Sequence, residues 1–397
     1  MDIHSLVSPE LTRRDFLKLA GASLALLGLS KALTPQVVEA MESSVGKVKV
    51  LWLEGQDCTG CTESLLNSSD PPIASILLDT ISLRYHETAM AGSGYQAEEI
   101  KDATIKEGGY ILIIEGSIPL AEDGKYCVIA GKPFKDIVRE AARNAAAIIC
   151  VGTCAAYGGI PRSGDTDAVG YLYRGTRLHH YYDDLGSKPV INLPTCPLHV
   201  ERLVAVLVHY LTFNSVPSLD KFQRPTAFYG VSQHDNCERR GNFEAGKFVT
   251  DWSDPNQQGW CLYLKGCKGP WANQDCWKRL WNNRTNYCIK ANVPCVGCSE
   301  PEFYETFSPL YERRYDVNLP GVGRVDIDKI LAGVGGLAAI GVGADMIASR
   351  LAGRWKGTEG EKADSAETPS DPAKAKVNTT EVKGAAPSDK NKESKEK

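Results

Sequence analysis

The sequence predicts an α/β protein: a parallel sheet covered by helices, then a small irregular region built around cysteines, then a C-terminal helix. Three observations predict it. Short apolar strands alternate with helical stretches between 47 and 220, the pattern of a parallel sheet buried on both faces. From about 221 this gives way to polar, Gly- and Trp-rich sequence holding seven of the 13 cysteines. An apolar run returns at 330–348.

A chain of 397 residues at 43% hydrophobic and 24% charged is not disordered, collagen-like or polytopic in a membrane. Its length suits about two ordinary domains. With 45 Lys and Arg against 49 Asp and Glu, the net charge of −4 gives no reason to expect a nucleic-acid partner. Thirteen cysteines are too sparse for a small disulfide scaffold, and they fall in pairs and short runs.

The N-terminus, 1–40, reads as an export signal. Thr12-Arg13-Arg14-Asp15-Phe16-Leu17-Lys18 precedes an apolar run from Leu19 to Leu29, and Val38-Glu39-Ala40 supplies small residues for cleavage. The paired arginines make it the twin-arginine kind. Such signals serve proteins exported already folded, often with cofactors aboard, and cysteines filled in a reducing cytoplasm are metal ligands more often than disulfides.

Strands are expected at 48–53, 110–114, 147–151 and 190–193, with helices at 134–146 and 199–211. Cys58-Thr59-Gly60-Cys61 follows the first strand, Gly152-Thr153-Cys154 the third, and Leu193-Pro194-Thr195-Cys196-Pro197 the fourth. Separate strand ends thus deliver four thiols to one sheet edge, where ligands sit in such folds. A CxxC alone is a redox pair or half a zinc site, but Cys154 and Cys196 would then be unexplained. Four thiolates bind zinc or an iron–sulfur cluster, and spacing does not choose between them.

Gln223-Arg224-Pro225 marks the boundary of the second region, which holds His234, Cys237, Cys261, Cys267, Cys276, Cys288, Cys295 and Cys298. A stretch of about 100 residues with so few apolar runs needs staples, and metal clusters serve. Tryptophans at 252, 260, 271, 277 and 281 fill a small irregular core; a secondary reading has them exclude water or dock a partner. Farther on, 328–350 is expected as a membrane anchor. Its apolar run is only just long enough to span and contains Asp345. Gly335, Ala339 and Gly343 recur at the small-residue spacing of packed membrane helices. Arg350, Arg354 and Lys356 suit a cytoplasmic flank; the alternative is an amphiphilic core helix. The tail, 353–397, has no aromatic, Leu or Ile after Trp355 and is expected to be disordered.

Taken together, Glu54-Gly55-Gln56-Asp57-Cys58-Thr59-Gly60-Cys61-Thr62-Glu63, Gly152-Thr153-Cys154, Cys196-Pro197, the His234-to-Cys237 pair, Gly266-Cys267-Lys268-Gly269-Pro270 and Pro294-Cys295-Val296-Gly297-Cys298 stand in family order. They resemble the small subunit of membrane-bound, periplasmic nickel–iron hydrogenases over about 47–310. The resemblance implies a flavodoxin-like domain at 47–220 and a cluster domain at 221–318, with three iron–sulfur clusters in a row. Cys58, Cys61, Cys154 and Cys196 would hold a proximal 4Fe–4S cluster facing a large subunit. His234, Cys237, Cys261 and Cys267 would hold a distal 4Fe–4S cluster with one His ligand. Cys276, Cys295 and Cys298 would hold the medial cluster. Many relatives have proline where this chain has Cys288, so a fourth thiolate implies a medial 4Fe–4S cluster of lowered potential; without Cys288 as ligand it is 3Fe–4S.

Oxygen-tolerant relatives carry extra cysteines where Gly60 and Gly159 stand, so the resemblance implies an ordinary proximal cluster and oxygen sensitivity. Asp57 stands where relatives commonly have Glu, which slightly weakens the case for a proton-handling role there. Cys127 and Cys150 are left over and read as small buried residues. His234 is neutral where a thiolate is anionic, which raises the distal potential. Arg239 and Arg240 attract an electron-accepting partner or compensate thiolate charge, or else are plain surface charges.

The implied function is electron transfer with no catalytic residue in this chain. A partner large subunit with the nickel–iron centre splits H2, and electrons leave toward a membrane cytochrome b or quinone-linked subunit, or a periplasmic cytochrome c. Export is by the twin-arginine machinery to the periplasmic face of the cytoplasmic membrane. The competitors are a zinc-stabilised hydrolase or reductase, which lacks a nucleophile–base set here, the cluster subunit of respiratory NADH:quinone oxidoreductase, which has no counterpart of His234 to Cys298, and an H2 sensor, which lacks signal and anchor.

Overall fold

Val50, Leu51, Trp52 and Leu53 put apolar side chains on both faces of one strand, and all four are buried, so this strand has to lie inside a sheet covered on each side. It is β1 (Lys49–Glu54). The other strands are β2 (Ser82–Tyr85), β3 (Tyr110–Glu115), β4 (Ala145–Val151) and β5 (Val190–Leu193). All pairings are parallel, in the order β5-β4-β3-β1-β2, the flavodoxin-like arrangement. This computed structural model describes residues 48–69, 72–73, 81–314, 316–319 and 323–351. The signal expected at 1–40, with Arg13 and Arg14, and the tail at 353–397 lie outside the described residues.

Alternate residues of the strands divide into two cores. Val50, Trp52, Ile113, Ile149 and Ile191 pack with Leu203, Val204 and Leu207 of α5 (Val200–Phe213). Leu51, Leu53, Leu112, Ile114 and Ile148 pack with Ile137, Val138 and Ala141 of α3 (Phe134–Asn144). The latter helix buries 134, 137, 138, 141 and 142, a stripe at helical spacing. Each fully buried Leu, Ile or Val is worth about 1.5–3 kcal/mol, so truncating Leu53 to Ala would cost about 2–5 kcal/mol. α2 (Gly94–Glu107) precedes β3, while α1 (Gly60–Leu66) and α4 (Gly152–Tyr157) start just beyond β1 and β4.

Strand order reverses between β1 and β3, whose last residues pair as Glu54 with Glu115. Ligands bind beyond the carboxyl ends of strands at such a point. The four expected strands are all present. β2 is an addition: a four-residue edge strand whose burial is confined to Tyr85, so it lacks the apolar run of a central strand.

Beyond α5 the chain turns to short helical turns and isolated bridges, where the sequence changes texture. The two parts pack together nonetheless. Asn192 N on β5 donates to Gln223 O at 2.8 Å, Arg224 pairs with Glu300 at 3.1 Å, and Thr153 Oγ1 donates to Cys298 O. The described residues up to 314 form one compact unit, and those from Asp316 a second.

In that second unit, Asp316–Leu319 and Gly323–Asp326 pair as an antiparallel hairpin ahead of α6 (Ile327–Leu351). The C-terminal helix expected at 328–350 is therefore found as a helix. Its membrane-spanning character is not: among the described residues no helix is long and apolar enough to cross a membrane. Gly and Ala take up much of α6 and Asp345 interrupts it.

Candidate metal centres and the buried groups around them

The first centre is built at the carboxyl edge of the sheet. Glu115, at the end of β3, accepts hydrogen bonds from the backbone N–H of Cys61 at 3.0 Å and of Thr62 at 3.2 Å, and from Trp52 Nε1 at 3.1 Å. The start of α1 is thereby fixed to the neighbouring strand. Burial raises the Glu115 carboxyl to about 7 against the lowering effect of the Thr62 hydrogen bond; burial likewise lifts Asp57 to about 6 and Glu87 to about 8.

Gly152 opens α4 at φ +79°, and a Cβ there would stand 2.6 Å from Cys61 Sγ. Glycine alone meets both demands. Thr153 N donates to Thr195 O at 3.1 Å, tying the loops after β4 and β5. Cys58, Cys61, Cys154 and Cys196 therefore meet. Burial pushes the Cys154 thiol up to about 12, with Cys196 and Cys58 adding to it, and Cys61 rises through burial, Glu115, Cys154 and Cys196. Leu198 N donates to Cys61 Sγ at 3.3 Å. A Cβ at Gly60 would lie 3.0 Å from Cys58 Sγ, and one at Gly159, itself at φ +52°, 2.8 Å from Cys154 Sγ.

A cavity of about 970 Å³ adjoins this edge, and Cys196, Cys276, Cys288, Cys295 and Cys298 all line it. Cys276 and Cys295 are buried and Cys288 is exposed. Burial raises the Cys298 thiol strongly, and Cys276, Cys196 and Cys288 add to that. Trp281 Nε1 donates to Cys276 Sγ at 3.2 Å, and Gly297 N to Cys295 Sγ at 3.4 Å.

His234, Cys237, Cys261 and Cys267 line a much tighter cavity of about 10 Å³, close to the space of one water. Burial raises the Cys267 thiol to about 11, with Cys237 and Cys261 contributing. Burial, then Arg240, lowers the His234 imidazole, which favours its neutral form. Phe243 packs edge-on against that ring at 4.5 Å. The three groups stand in series: Cys298 is a charge neighbour of Cys196, and Cys295 of Cys267. Cys150 and Cys127 remain outside them, the first buried on β4 and the second half-buried.

Two expectations need revision. Arg239 is not available to a partner: it is buried, and Nη1 donates to Trp260 O and Asn292 Oδ1, each at 2.9 Å. Arg240 is the surface member, paired with Asp235 and Glu244. The tryptophans also divide. Trp260, Trp277 and Trp281 pack around the buried cysteines, while Trp252 is 51% exposed.

Sequence reasoning missed the groups that hold the thiols. Glu115 was visible only as a charge ending an apolar strand. Lys268 is fully buried and donates to the carbonyls of Gly266, Pro309 and Leu310 at 3.1, 3.4 and 3.3 Å. Asp275 was likewise unmarked; burial drives its carboxyl up, but Arg202 and Arg279 hold it below the ordinary range. Among the described residues, the group of three acidic, thiol or imidazole donors within 4.8 Å of one another is Glu54, Asp57 and Glu115.

Comparison with known proteins bears on all of this. A family model for the C-terminal part of the NiFe/NiFeSe hydrogenase small subunit matches 229–311, and one described as NADH ubiquinone oxidoreductase, 20 Kd subunit, matches 58–210. The uptake hydrogenase small subunit of Azotobacter vinelandii is 40% identical over 343 residues, 85% of this chain and 91% of that protein. The quinone-reactive Ni/Fe-hydrogenase small chain of Wolinella succinogenes is 38% identical over 85% and 96%. Among solved structures, a chain of the Ni-Fe-Se hydrogenase from Desulfomicrobium baculatum matches with a TM-score of 0.62 at 35% identity, covering 68% of this chain and 100% of that one. With the cysteine-rich half matching one model and the sheet half the other, and with such identity over nearly the whole of its relatives, the chain belongs to the nickel–iron hydrogenase small subunits, the electron-transfer subunits of those oxidoreductases.

Proposed function

We propose that the three thiol groups are three iron–sulfur stations: Cys58, Cys61, Cys154 and Cys196 proximal, Cys276, Cys288, Cys295 and Cys298 medial, His234, Cys237, Cys261 and Cys267 distal. The observation that carries this is their serial arrangement: Cys196 lines one cavity with Cys276, Cys288, Cys295 and Cys298, and the N–H of Lys268, next to Cys267, donates to Cys295 O at 2.6 Å. When bound, such clusters accept and pass single electrons. The donor chemistry fits them. N–H donors aimed at Cys61, Cys276, Cys295 and Cys237 disperse thiolate charge and tune potentials. His234, Cys237, Cys261 and Cys267 share one cavity lining, which supports their assignment to a single station.

Cys288 lines the medial cavity with the other three thiols, which supports a medial 4Fe–4S rather than 3Fe–4S cluster. Gly60 and Gly159 support an ordinary proximal cluster and oxygen sensitivity. A small subunit of this family implies a large-subunit partner, and that is where H2 is split. Electrons then leave from the distal end to a cytochrome b, a quinone-linked subunit or a periplasmic cytochrome c. The relative called quinone-reactive supports a membrane acceptor.

Location at the periplasmic face of the membrane rests on the twin-arginine pattern at 13–14 and the small-residue spacing in 328–350, while the modest apolarity of that helix weighs against a full crossing. Iron and acid-labile sulfide analysis of the purified complex tests the stations. Three clusters' worth of both is expected; zinc in their place overturns the proposal.

A further inference from the structure

Medial residue Cys276 lies against a buried charge network that links the two parts of the compact unit. Arg202, on α5, is 0% exposed. Its Nη2 and Nε donate to Asp275 Oδ1 at 2.7 and 3.2 Å, and Nη2 reaches Cys276 Sγ at 4.0 Å. Arg279 Nε donates to Asp275 Oδ2 at 2.5 Å, Arg279 Nη1 approaches Glu201 at 3.4 Å, and Arg284 Nε donates to Glu201 at 2.8 Å. Asp275 thus stands between Arg202 and Arg279, and Glu201 between Arg279 and Arg284.

The same Arg202 touches the proximal side. Its Nη1 donates to Tyr229 Oη at 3.3 Å, and that hydroxyl donates to Pro194 O at 2.8 Å, in the loop that presents Cys196. One buried cation therefore braces Pro194-Thr195-Cys196 and Asp275-Cys276 together. A buried ion pair of this kind adds little net stability. Its charge, however, acts in a low-dielectric setting where it is felt strongly by neighbouring groups.

We propose that Arg202 is a positioning residue for the medial station, holding Asp275-Cys276 against the Cys196 loop and placing the positive charge that raises the medial potential. This rests on the assignment of Cys276 as a medial ligand. A positive charge beside a cluster favours its more negative, reduced form, and a carboxylate opposes it. Removing Arg202 and removing Asp275 must therefore shift the medial potential in opposite directions, which a purely structural role would not do.

The test is an EPR-monitored redox titration of the intact heterodimer carrying Arg202→Met, Arg202→Lys or Asp275→Asn. In Arg202→Met the ratio of reduced to oxidised medial cluster at a fixed potential is expected to fall about tenfold, equivalent to ~59 mV for one electron. Arg202→Lys keeps most of the wild-type ratio, Asp275→Asn raises it, and the distal signal does not move. Equal shifts in Arg202→Met and Arg202→Lys overturn the inference, as does an unmoved medial potential at full iron content. Should Arg202→Met lose the medial signal outright, recovery of that signal in Arg202→Lys together with the upward shift in Asp275→Asn supports it, and absence of either overturns it. A wild-type protein in which only two stations titrate removes the medial assignment itself, separately from any effect of Arg202.

Discussion

The sheet half and the cysteine-rich half of this protein solve the same problem by different means. At the sheet edge, Cys58, Cys61, Cys154 and Cys196 are placed by the ends of β1, β4 and β5, whose register is set by long apolar strands. In the second half, no strand of the main sheet supports the thiols of Cys237, Cys261, Cys267, Cys276, Cys288, Cys295 and Cys298; they are placed by turns, by buried ions such as Arg202 and Lys268, and by tryptophans around a small core. A thiol on a strand end inherits rigidity from the whole sheet. A thiol on a turn depends on a few nearby side chains. Damage should therefore be abrupt at the sheet edge and graded in the other half.

Gly152→Val gives the largest expected effect. The side chain would meet Cys61 Sγ, and φ +79° adds strain of about 1–2 kcal/mol, so the purified complex should lack one cluster's worth of iron and transfer almost no electrons. Full iron content would show the sheet edge to be as adaptable as the turns. His234→Ala should come next. Turnover with external acceptors should fall at least about tenfold while H2/D2 exchange at the large subunit stays near wild type; equal losses would remove His234 from the exit. Cys288→Pro is milder: oxidised protein should acquire a three-iron EPR signal that the wild type lacks, and its presence in wild type would take Cys288 off the ligand set. The smallest contrast is between neighbours. Arg239→Gln loses buried hydrogen bonds to Trp260 and Asn292, for about 1–3 kcal/mol and a lower Tm, whereas Arg240→Gln, on the surface, should leave Tm unchanged. Matching losses would place both arginines in the core.

The same contrast explains what was legible beforehand. Periodicity read β1, β3, β4 and β5 directly, because a strand buried on both faces is written as an apolar run. It missed β2, whose four residues bury mainly Tyr85. The cysteines and the histidine proposed as ligands could be grouped from their spacing and from the resemblance, since chemistry restricts which residue types ligate. What braces them was not. Arg202 and Asp275 are 73 positions apart, and nothing local in either marks a partner. The surface readings of Arg239 fail for the same reason: adjacent to Arg240 in sequence, it points the other way in space, where its charge lies near Cys237 and Cys261 and fits thiolate compensation. The C-terminal run was legible as a helix, yet Gly, Ala and Asp345 leave its membrane role to experiment, and release of the complex on truncation after Pro320 would show that role.

The central claim, that electrons from H2 pass through this chain, is tested most directly by exposing the purified complex to H2 without air and following its visible iron–sulfur absorption. The account predicts a coloured protein that bleaches under H2 and recovers when an electron acceptor is added. A colourless complex, or a colour indifferent to H2, would contradict it.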